Sequence, residues 1–188
     1  MSDSVYKKVE TVELIEMAQN GDVKAIEALI RREQKHIYAI FSHLSSKKED
    51  ISDLTQEVLL KMARNIGKLR DINHFRQWLN KIISNAFYDY TKRKSPEFAD
   101  LSENELDEIR DKIGCEPGER CIFAEIEKLI KMALMTLPQN LRLSLILREY
   151  EGLSYEDISK LTNTTLGTVK SRISRARIQL REKLEGFI

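Results

Sequence analysis

Residues 152–181 read GLSYEDISKLTNTTLGTVKSRISRARIQLR, which contains two helix patterns separated by a polar turn. Ser154 is a suitable N-cap for a short helix over 155–161, because its hydroxyl can accept a hydrogen bond from an amide in the first turn. The polar residues 162–165 predict a turn. A basic helix then extends over about 167–185. A short capped helix, a turn and a basic helix together predict a helix-turn-helix.

The basic helix divides into an inward and an outward face at helical spacing. Its apolar stripe, which would attach the helix to its domain, comprises Val169, Ile173, Ala176, Leu180 and Leu184. The opposite face carries Lys170, Ser171, Ser174, Arg175, Ile178 and Arg181. Lysine and arginine can reach guanine O6 and N7 in a major groove, and Thr168 with nearby amides suits a phosphate. The pattern favours DNA binding over the plainer alternative of a solvated basic helix.

The rest of the chain predicts helices as well. Seven glycines and three prolines in 188 residues favour helix over sheet. Pro96 disfavours helix at the residue before it, and Pro117 with Gly118 marks a turn. We therefore expect an all-α chain of two small helical domains, 1–95 and 119–188, joined by an acidic linker over 96–118.

The net charge of +1 conceals an uneven distribution of charged residues. Residues 60–94 carry nine Lys or Arg and two Asp, whereas residues 96–118 carry eight acidic residues and two basic ones. Residues 167–183 carry six basic residues and one acidic residue. A basic, acidic, basic order is typical of segments with different partners.

The composition argues against several classes of protein. No apolar run approaches the roughly 20 residues of a membrane span, and the first residues lack a signal-peptide core. We therefore expect a cytoplasmic protein without direct membrane insertion. The three histidines are scattered and no Cys-x-x-Cys occurs, so we expect no metal and no cofactor. Cys115 and Cys121 could form a redox switch, but few bases lie nearby to activate them, which favours ordinary thiols.

Several motifs now bear comparison with a known family. LP at 137–138 with Arg142, GLSYEDI at 152–158 and GTVKSRISRAR at 167–177 resemble the promoter-reading domain of extracytoplasmic-function (ECF) sigma factors. The first half is similar to the same family at QNGDVKAI (19–26), DLTQEV (53–58), FRQWL (75–79), IISN (82–85) and DYTKRK (89–94). The resemblance covers nearly the whole chain apart from the linker.

The resemblance implies a transcription initiation factor and not an enzyme. Its partners would be bacterial core RNA polymerase and promoter DNA, with recognition of −35 and −10 elements and melting of the −10 element. The implied −35 contacts are Thr168, Lys170, Ser171, Arg172, Ser174 and Arg175. The family often has an anti-sigma factor clasped between its two domains, and the sequence leaves open whether this chain has one. The linker would thread the polymerase near the RNA path, although a solvated tether explains it equally well.

The helix predicted after residue 52 carries the polymerase contacts that the resemblance implies. These are Asp53, Leu54, Gln56 and Glu57. Asp53, Gln56, Glu57 and Leu60 follow the spacing of one helix face. An acidic first turn that suits the helix dipole is the alternative, and it explains Asp53 well but Gln56 poorly.

Opening the −10 element requires a cationic surface with flat or amide groups for unstacked bases. By resemblance, base capture lies near the loop 68–74 and along one face of the helix that follows. The predicted −10 contacts are Asn80, Ser84, Asn85, Tyr88, Lys92 and Arg93. Asn85 could instead serve helix packing. The aromatic residues Phe75, Trp78, Phe87 and Tyr90 fall on the apolar face and are expected in the core.

Two other functions compete with this interpretation. An independent helix-turn-helix repressor would bind palindromic sites as a dimer without polymerase, and the motifs of the first domain argue against it. A helical scaffold that meets only proteins would tolerate charge substitutions of Lys170 and Arg175. An enzyme is least favoured, because no phosphate loop, nucleophile–base pair or ligand set is visible.

Overall fold

The computed structural model describes Tyr6 and residues 9–93 and 119–185, and the regular elements in this part of the chain are all helical. The chain divides into two compact units, Met1–Tyr90 and Thr91–Ile188. The prediction of an all-α fold is confirmed. The predicted linker over 96–118 lies outside the described residues, so its boundaries stay predictions. Within the described residues, no helix is long and apolar enough to cross a membrane.

Over residues 9–93, the structure has four α-helices and two short 3₁₀ turns. The α-helices are α1 (Thr11–Gln19), α2 (Val23–Leu44), α3 (Lys48–Asn65) and α4 (Phe75–Arg93). The two 3₁₀ turns, Ile66–Lys68 and Ile72–His74, lie between α3 and α4. Helix α2 packs against both α1 and α3, and α1 also contacts both 3₁₀ turns.

A tight junction separates α1 from α2. Gly21 has φ +89°, a left-handed conformation that glycine adopts without strain. The Asp22 side chain caps α2 by accepting hydrogen bonds from the amides of Lys24 and Ala25 at 2.9 and 3.2 Å. Tyr6 donates its hydroxyl to the same carboxylate at 2.9 Å, and this bond lowers the pKa of Asp22. Asp22 is therefore the N-cap of α2.

A buried ion pair joins α2 to α4. Glu33 is 0% exposed, and its Oε2 accepts a hydrogen bond from Arg76 Nη1 at 2.6 Å. An unpaired carboxylate in this position would be strongly destabilising, because burial removes its hydration. Arg76 therefore serves the fold, although its guanidinium is half exposed to solvent.

The buried arc of α4 differs from the predicted one. Phe75, Leu79 and Phe87 are buried as expected, together with Ile83 and Ala86. Asn80 and Ser84, which the sequence pattern placed outward, are also buried, at 1% and 0% exposure. Asp89 is exposed. The helix is thus turned so that small polar side chains face the core, while Trp78 and Ile82 lie at the edge of the arc.

The described part of the second unit, residues 119–185, has four more α-helices. These are α5 (Glu119–Met135), α6 (Gln139–Glu149), α7 (Tyr155–Thr162) and α8 (Leu166–Glu185). Helix α8 packs against α5, α6 and α7. Ser154 caps α7 by accepting a hydrogen bond from the amide of Asp157 at 3.0 Å. The helix ends at Asn163, which has the left-handed φ of 50°. The predicted helix-turn-helix is therefore present as α7 and α8.

One buried arginine holds the junction between α5 and α6. Arg142 is 6% exposed, and its Nη2 donates to the carbonyls of Met135 and Leu137 at 2.9 and 2.8 Å. Carbonyls at a helix C-terminus lack partners inside the helix and need an external donor. Pro138 follows this junction and has no amide to donate. The guanidinium therefore fixes the course of the chain into α6, against which α8 packs.

We expect Arg142→Met to lower the free energy of unfolding of the second unit by about 2–4 kcal/mol, because buried carbonyls lose their donor. Urea unfolding followed by far-ultraviolet circular dichroism measures this loss. Trp78 is the single tryptophan and lies in the first unit, so its fluorescence transition should stay unchanged.

Arg181→Met is the matched control, because Arg181 is exposed on α8 and loses the same guanidinium. Equal unfolding curves for the Arg142 and Arg181 variants would contradict the role given to Arg142.

Candidate polymerase and DNA interfaces

Helix α3 presents a mixed acidic, amide and apolar face. Asp53 and Gln56 are exposed and Glu57 is half-buried. Glu57 accepts a hydrogen bond from Lys61 Nζ at 2.6 Å, one turn further along. Leu60 completes the face and is 54% exposed, so it adds an apolar group to the surface. This face therefore offers both polar and apolar contacts to a protein partner.

Leu54 does not belong to this face. It is 3% exposed and lies in the core of the first unit. Its position, one residue after Asp53, turns it about 100° around the helix axis. The sequence motif therefore combines three surface side chains with one core side chain, and Leu60 is the apolar surface residue of the group.

The segment 66–74, called the capture loop below, leads from α3 into α4. Ile66 and Leu69 anchor it in the core, whereas Lys68 and Arg70 are exposed. Asp71 accepts hydrogen bonds from the Asn73 amide at 3.0 Å and lies 2.7 Å from His74 Nδ1. The contact with His74 lowers the pKa of Asp71. The loop therefore combines buried anchors with an exposed, cationic outer surface.

The predicted −10 contacts on α4 divide into two groups. Asn85, Lys92 and Arg93 are exposed, and Tyr88 is half-buried. Asn80 and Ser84 are buried in this structure and do not reach the surface with the others. The prediction that they lie on the outer face is wrong, because small polar residues fill part of the buried arc of α4.

The aromatic residues of α4 are less uniformly buried than expected. Phe75 and Phe87 lie in the core, but Trp78 and Tyr90 are half-buried. The rings of Phe75 and Trp78 lie 5.9 Å apart between centroids, which supports the indole on one side. Sequence reasoning missed Trp78 as a flat surface group. Its position at the edge of the apolar arc was the available signal.

Helix α8 shows the expected division into two faces. Val169, Ile173 and Ala176 are buried, whereas Leu180 and Leu184 are half-buried. On the outward face Lys170, Ser171, Ser174 and Arg175 are exposed, while Thr168 and Arg172 are half-buried. The structure therefore brings the predicted −35 contacts to the first half of one helix, with the core fixed beneath them.

Hydroxyl groups stabilise the turn between α7 and α8. The Ser159 hydroxyl donates to the carbonyl of Thr164, and the hydroxyls of Thr162 and Thr164 lie 2.9 Å apart. Thr165 accepts a hydrogen bond from the Thr168 amide at 3.2 Å. Side-chain hydrogen bonds therefore hold the turn between the two helices in place.

Two arginines near the helix-turn-helix serve its packing. Arg177 pairs with Glu149 through its Nε at 3.1 Å and its Nη2, and this contact raises the pKa of Arg177. Arg148 donates to the carbonyl of Leu153 at 2.7 Å and lies 4.8 Å from the centre of the Tyr155 ring. These contacts tie the end of α6 to α7 and α8.

No cluster of His, Cys, Asp or Glu able to hold a metal ion occurs among the residues that the structure describes. Cys115 and the side chain of Cys121 lie outside that part, so their redox role stays untested.

Two family models match the chain. The model described as Sigma-70 region 2 matches residues 29–97, and the model described as Sigma-70, region 4 matches residues 127–180. The first match includes α3, the capture loop and α4. The second includes α6, α7 and the outward residues of α8 named above.

Curated relatives match over nearly their whole length. An ECF RNA polymerase sigma-E factor of Haemophilus influenzae is 33% identical over 180 residues, which cover 92% of this chain and 94% of the relative. The protein of that name in Escherichia coli K12 is 30% identical over 181 residues, which cover 93% of this chain and 94% of the relative. An RNA polymerase sigma-H factor of Pseudomonas aeruginosa is 31% identical over 185 residues, covering 94% of each chain.

Solved structures show the same architecture. The sigma factor RpoE in complex with the anti-sigma factor NepR, from Bartonella quintana, matches with a TM-score of 0.64 and 26% identity over 87% of this chain and 98% of that chain. CnrH in complex with the cytosolic domain of CnrY matches with a TM-score of 0.60 and 19% identity over 93% of this chain and 97% of that chain. This likeness shows the fold alone. Since both halves match sigma-70 regions and relatives of 30% identity or more cover nearly the whole length, the chain belongs to the ECF RNA polymerase sigma factors.

Proposed function

We propose that this transcription initiation factor uses three separate surfaces to bind core RNA polymerase, the −10 strand and the −35 duplex. The α3 face of Asp53, Gln56, Glu57 and Leu60 binds the clamp helices of core RNA polymerase. The capture loop and the outer face of α4 hold the unstacked −10 strand. The outward face of α8 reads the −35 duplex. The domain boundaries of 1–95 and 119–188, with a linker over 96–118, belong to the same proposal.

The observation that carries the proposal is that α8 has one buried apolar face and one exposed polar and basic face. Its first half exposes Lys170, Ser171, Ser174 and Arg175 while Val169 and Ile173 are buried beneath them. A helix held in this way can place cationic and hydroxyl groups against base edges and phosphates in a major groove. Neither Lys170 nor Arg175 has an ion-pair partner in the described part of the chain, so both are available to DNA.

Several further properties follow from this mechanism. The protein performs no covalent chemistry and acts in the cytoplasm, where polymerase and chromosome lie. Each DNA-binding surface is small, and polymerase adds avidity by holding both at promoter spacing. We also propose an anti-sigma partner. Its support is that the RpoE structure was solved with NepR bound, and that Ile126 and Ile130, one turn apart on α5, are exposed.

We expect core RNA polymerase to co-elute with the wild-type protein, and a Gln56→Ala, Glu57→Ala double variant to co-elute less. Both substitutions remove polar groups from the exposed α3 face and leave its buried residues intact. Size-exclusion chromatography with a titration of core polymerase measures the change.

A matched control replaces a glutamine and a glutamate on the exposed side of α2, Gln34→Ala and Glu27→Ala, and should co-elute as the wild type does. A folded wild-type protein that does not bind polymerase but binds a palindromic DNA site alone would instead support the repressor function.

We expect Arg175→Ala to weaken promoter binding by the holoenzyme by about 1–3 kcal/mol if the guanidinium contacts a base, with reduced preference for the −35 sequence. Loss of a phosphate contact would instead weaken all sequences equally and reduce the salt dependence of binding. Binding titrations at several salt concentrations, on promoters with the intact and the altered −35 element, separate the two cases.

Lys183→Ala is the control, because Lys183 is exposed on α8 but lies two turns or more beyond Arg175. If Lys170→Ala and Arg175→Ala both left promoter binding unchanged, the DNA-reading role of α8 would be wrong, and the scaffold function would gain support.

A further inference from the structure

The last residue of α1 bridges to the capture loop. The side-chain amide of Gln19 donates from Nε2 to the carbonyl of Ile66 at 3.1 Å and to the carbonyl of Leu69 at 2.7 Å. A glutamine side-chain amide has two N–H donors, so both are used on one loop. The partners lie 47 and 50 residues further along the chain.

Gln19 is itself firmly placed. Leu14, Ile15 and Ala18 bury the inner face of α1, and α1 contacts both 3₁₀ turns of the capture loop. The tight junction at Gly21 and the capped start of α2 fix the end of α1 directly after Gln19. The two carbonyls are therefore held by a side chain that has little freedom to follow them.

Apart from the buried side chains of Ile66 and Leu69, the capture loop is held by two short turns. Its two 3₁₀ turns are three residues each, and such short turns have poor hydrogen-bond geometry. The first turn is closed by the Leu69 amide, which donates to the Ile66 carbonyl at 3.1 Å. Gln19 donates to that same carbonyl and to the carbonyl of Leu69. It therefore sets where the exposed Lys68 and Arg70 lie.

We propose that Gln19 is a positioning residue for capture of the −10 strand. It acts through the capture loop, which it holds in the conformation that receives an unstacked base. The inference rests on the proposed function of that loop. A loop ordered before binding loses less conformational freedom when the strand arrives, so the affinity for single-stranded DNA is higher.

Two substitutions of similar size separate donation from packing. Gln19→Met keeps the length of the side chain and removes both donors. Gln19→Glu keeps the shape and places an ionised acceptor against two carbonyl oxygens. Gln34→Glu is the matched control, since Gln34 is exposed on α2 and the same charge is added there.

The experiment uses holoenzyme assembled from the full chain and core RNA polymerase. The probe is a fork-shaped promoter with a single-stranded −10 region, selected with the wild-type holoenzyme from a random-sequence library. We expect Gln19→Met to lower the affinity for this probe about tenfold, because the two part-buried hydrogen bonds that hold the loop are lost. The affinity of Gln19→Met for core polymerase and for a −35 duplex should stay within twofold of the wild-type values. The same two affinities should stay within twofold for Gln34→Glu.

The pH dependence of the affinity for the fork probe distinguishes hydrogen-bond donation from packing, because a loss of packing alone would not depend on pH. As the pH is lowered towards the ordinary pKa of a glutamate carboxyl, the Gln19→Glu side chain gains a proton and regains one donor. We therefore expect its affinity for the fork probe to rise relative to wild type as the pH falls. The Gln19→Met and Gln34→Glu variants should show no such relative gain.

The possible failures are distinguishable. Gln19 variants that bind the fork probe as tightly as the wild type overturn the inference and leave the proposed function intact. Equal losses of affinity for core polymerase, −35 duplex and fork probe also overturn it, because they indicate general destabilisation. A wild-type holoenzyme that prefers the fully duplex promoter to the fork probe overturns the proposed role of the capture loop, and the inference with it.

Discussion

The backbone carbonyls at the ends of helices and in tight turns need donors, and this need shapes both units of the protein. An all-helical chain with short connections leaves many such carbonyls without a partner inside the helix. Long side chains from elsewhere supply the donors. Gln19 serves Ile66 and Leu69, Arg142 serves Met135 and Leu137, and Arg32 donates to the carbonyl of Val9 at 2.8 Å. Each of these bonds fixes the direction in which the next helix or turn departs.

The direction of the helices decides which side chains reach the surface. Helices α3, α4 and α8 each bury one arc and expose the other, so an error in helix orientation would exchange binding residues for core residues. The ion pair between Glu33 and Arg76 fixes α4 against α2, and Arg177 with Glu149 fixes α8 against α6. These contacts within the protein therefore help to determine which side chains form the outer surfaces.

The local features of the fold could be predicted from the sequence, whereas the orientation of helices could not. The cap at Ser154 and the stripe through Val169 and Ile173 depend on neighbouring residues, and they are present as predicted. Periodicity gives the width of an apolar arc but not its centre, which depends on what packs against the helix. For that reason Asn80 and Ser84 were placed on the wrong side of α4. The contact of Gln19 with a loop 47 residues away has no local signal at all.

The sequence shows how many basic residues each segment has, but not which of them pair with carboxylates elsewhere in the fold. The sequence shows nine Lys or Arg over 60–94 and six over 167–183, which suggests two broad cationic surfaces. In the structure Arg76 and Arg177 are engaged by carboxylates, so their charge is partly neutralised and their position is set by the fold. Arg70, Lys170 and Arg175 are exposed without an ion-pair partner among the described residues. Since only cations that displace counterions from DNA add to a salt-dependent affinity, the count of basic residues is an upper limit on the number of cations that contribute in this way. The residues expected to determine the salt dependence of DNA binding are therefore the fewer cations without an ion-pair partner that lie on a rigid helix or on a loop held by other contacts.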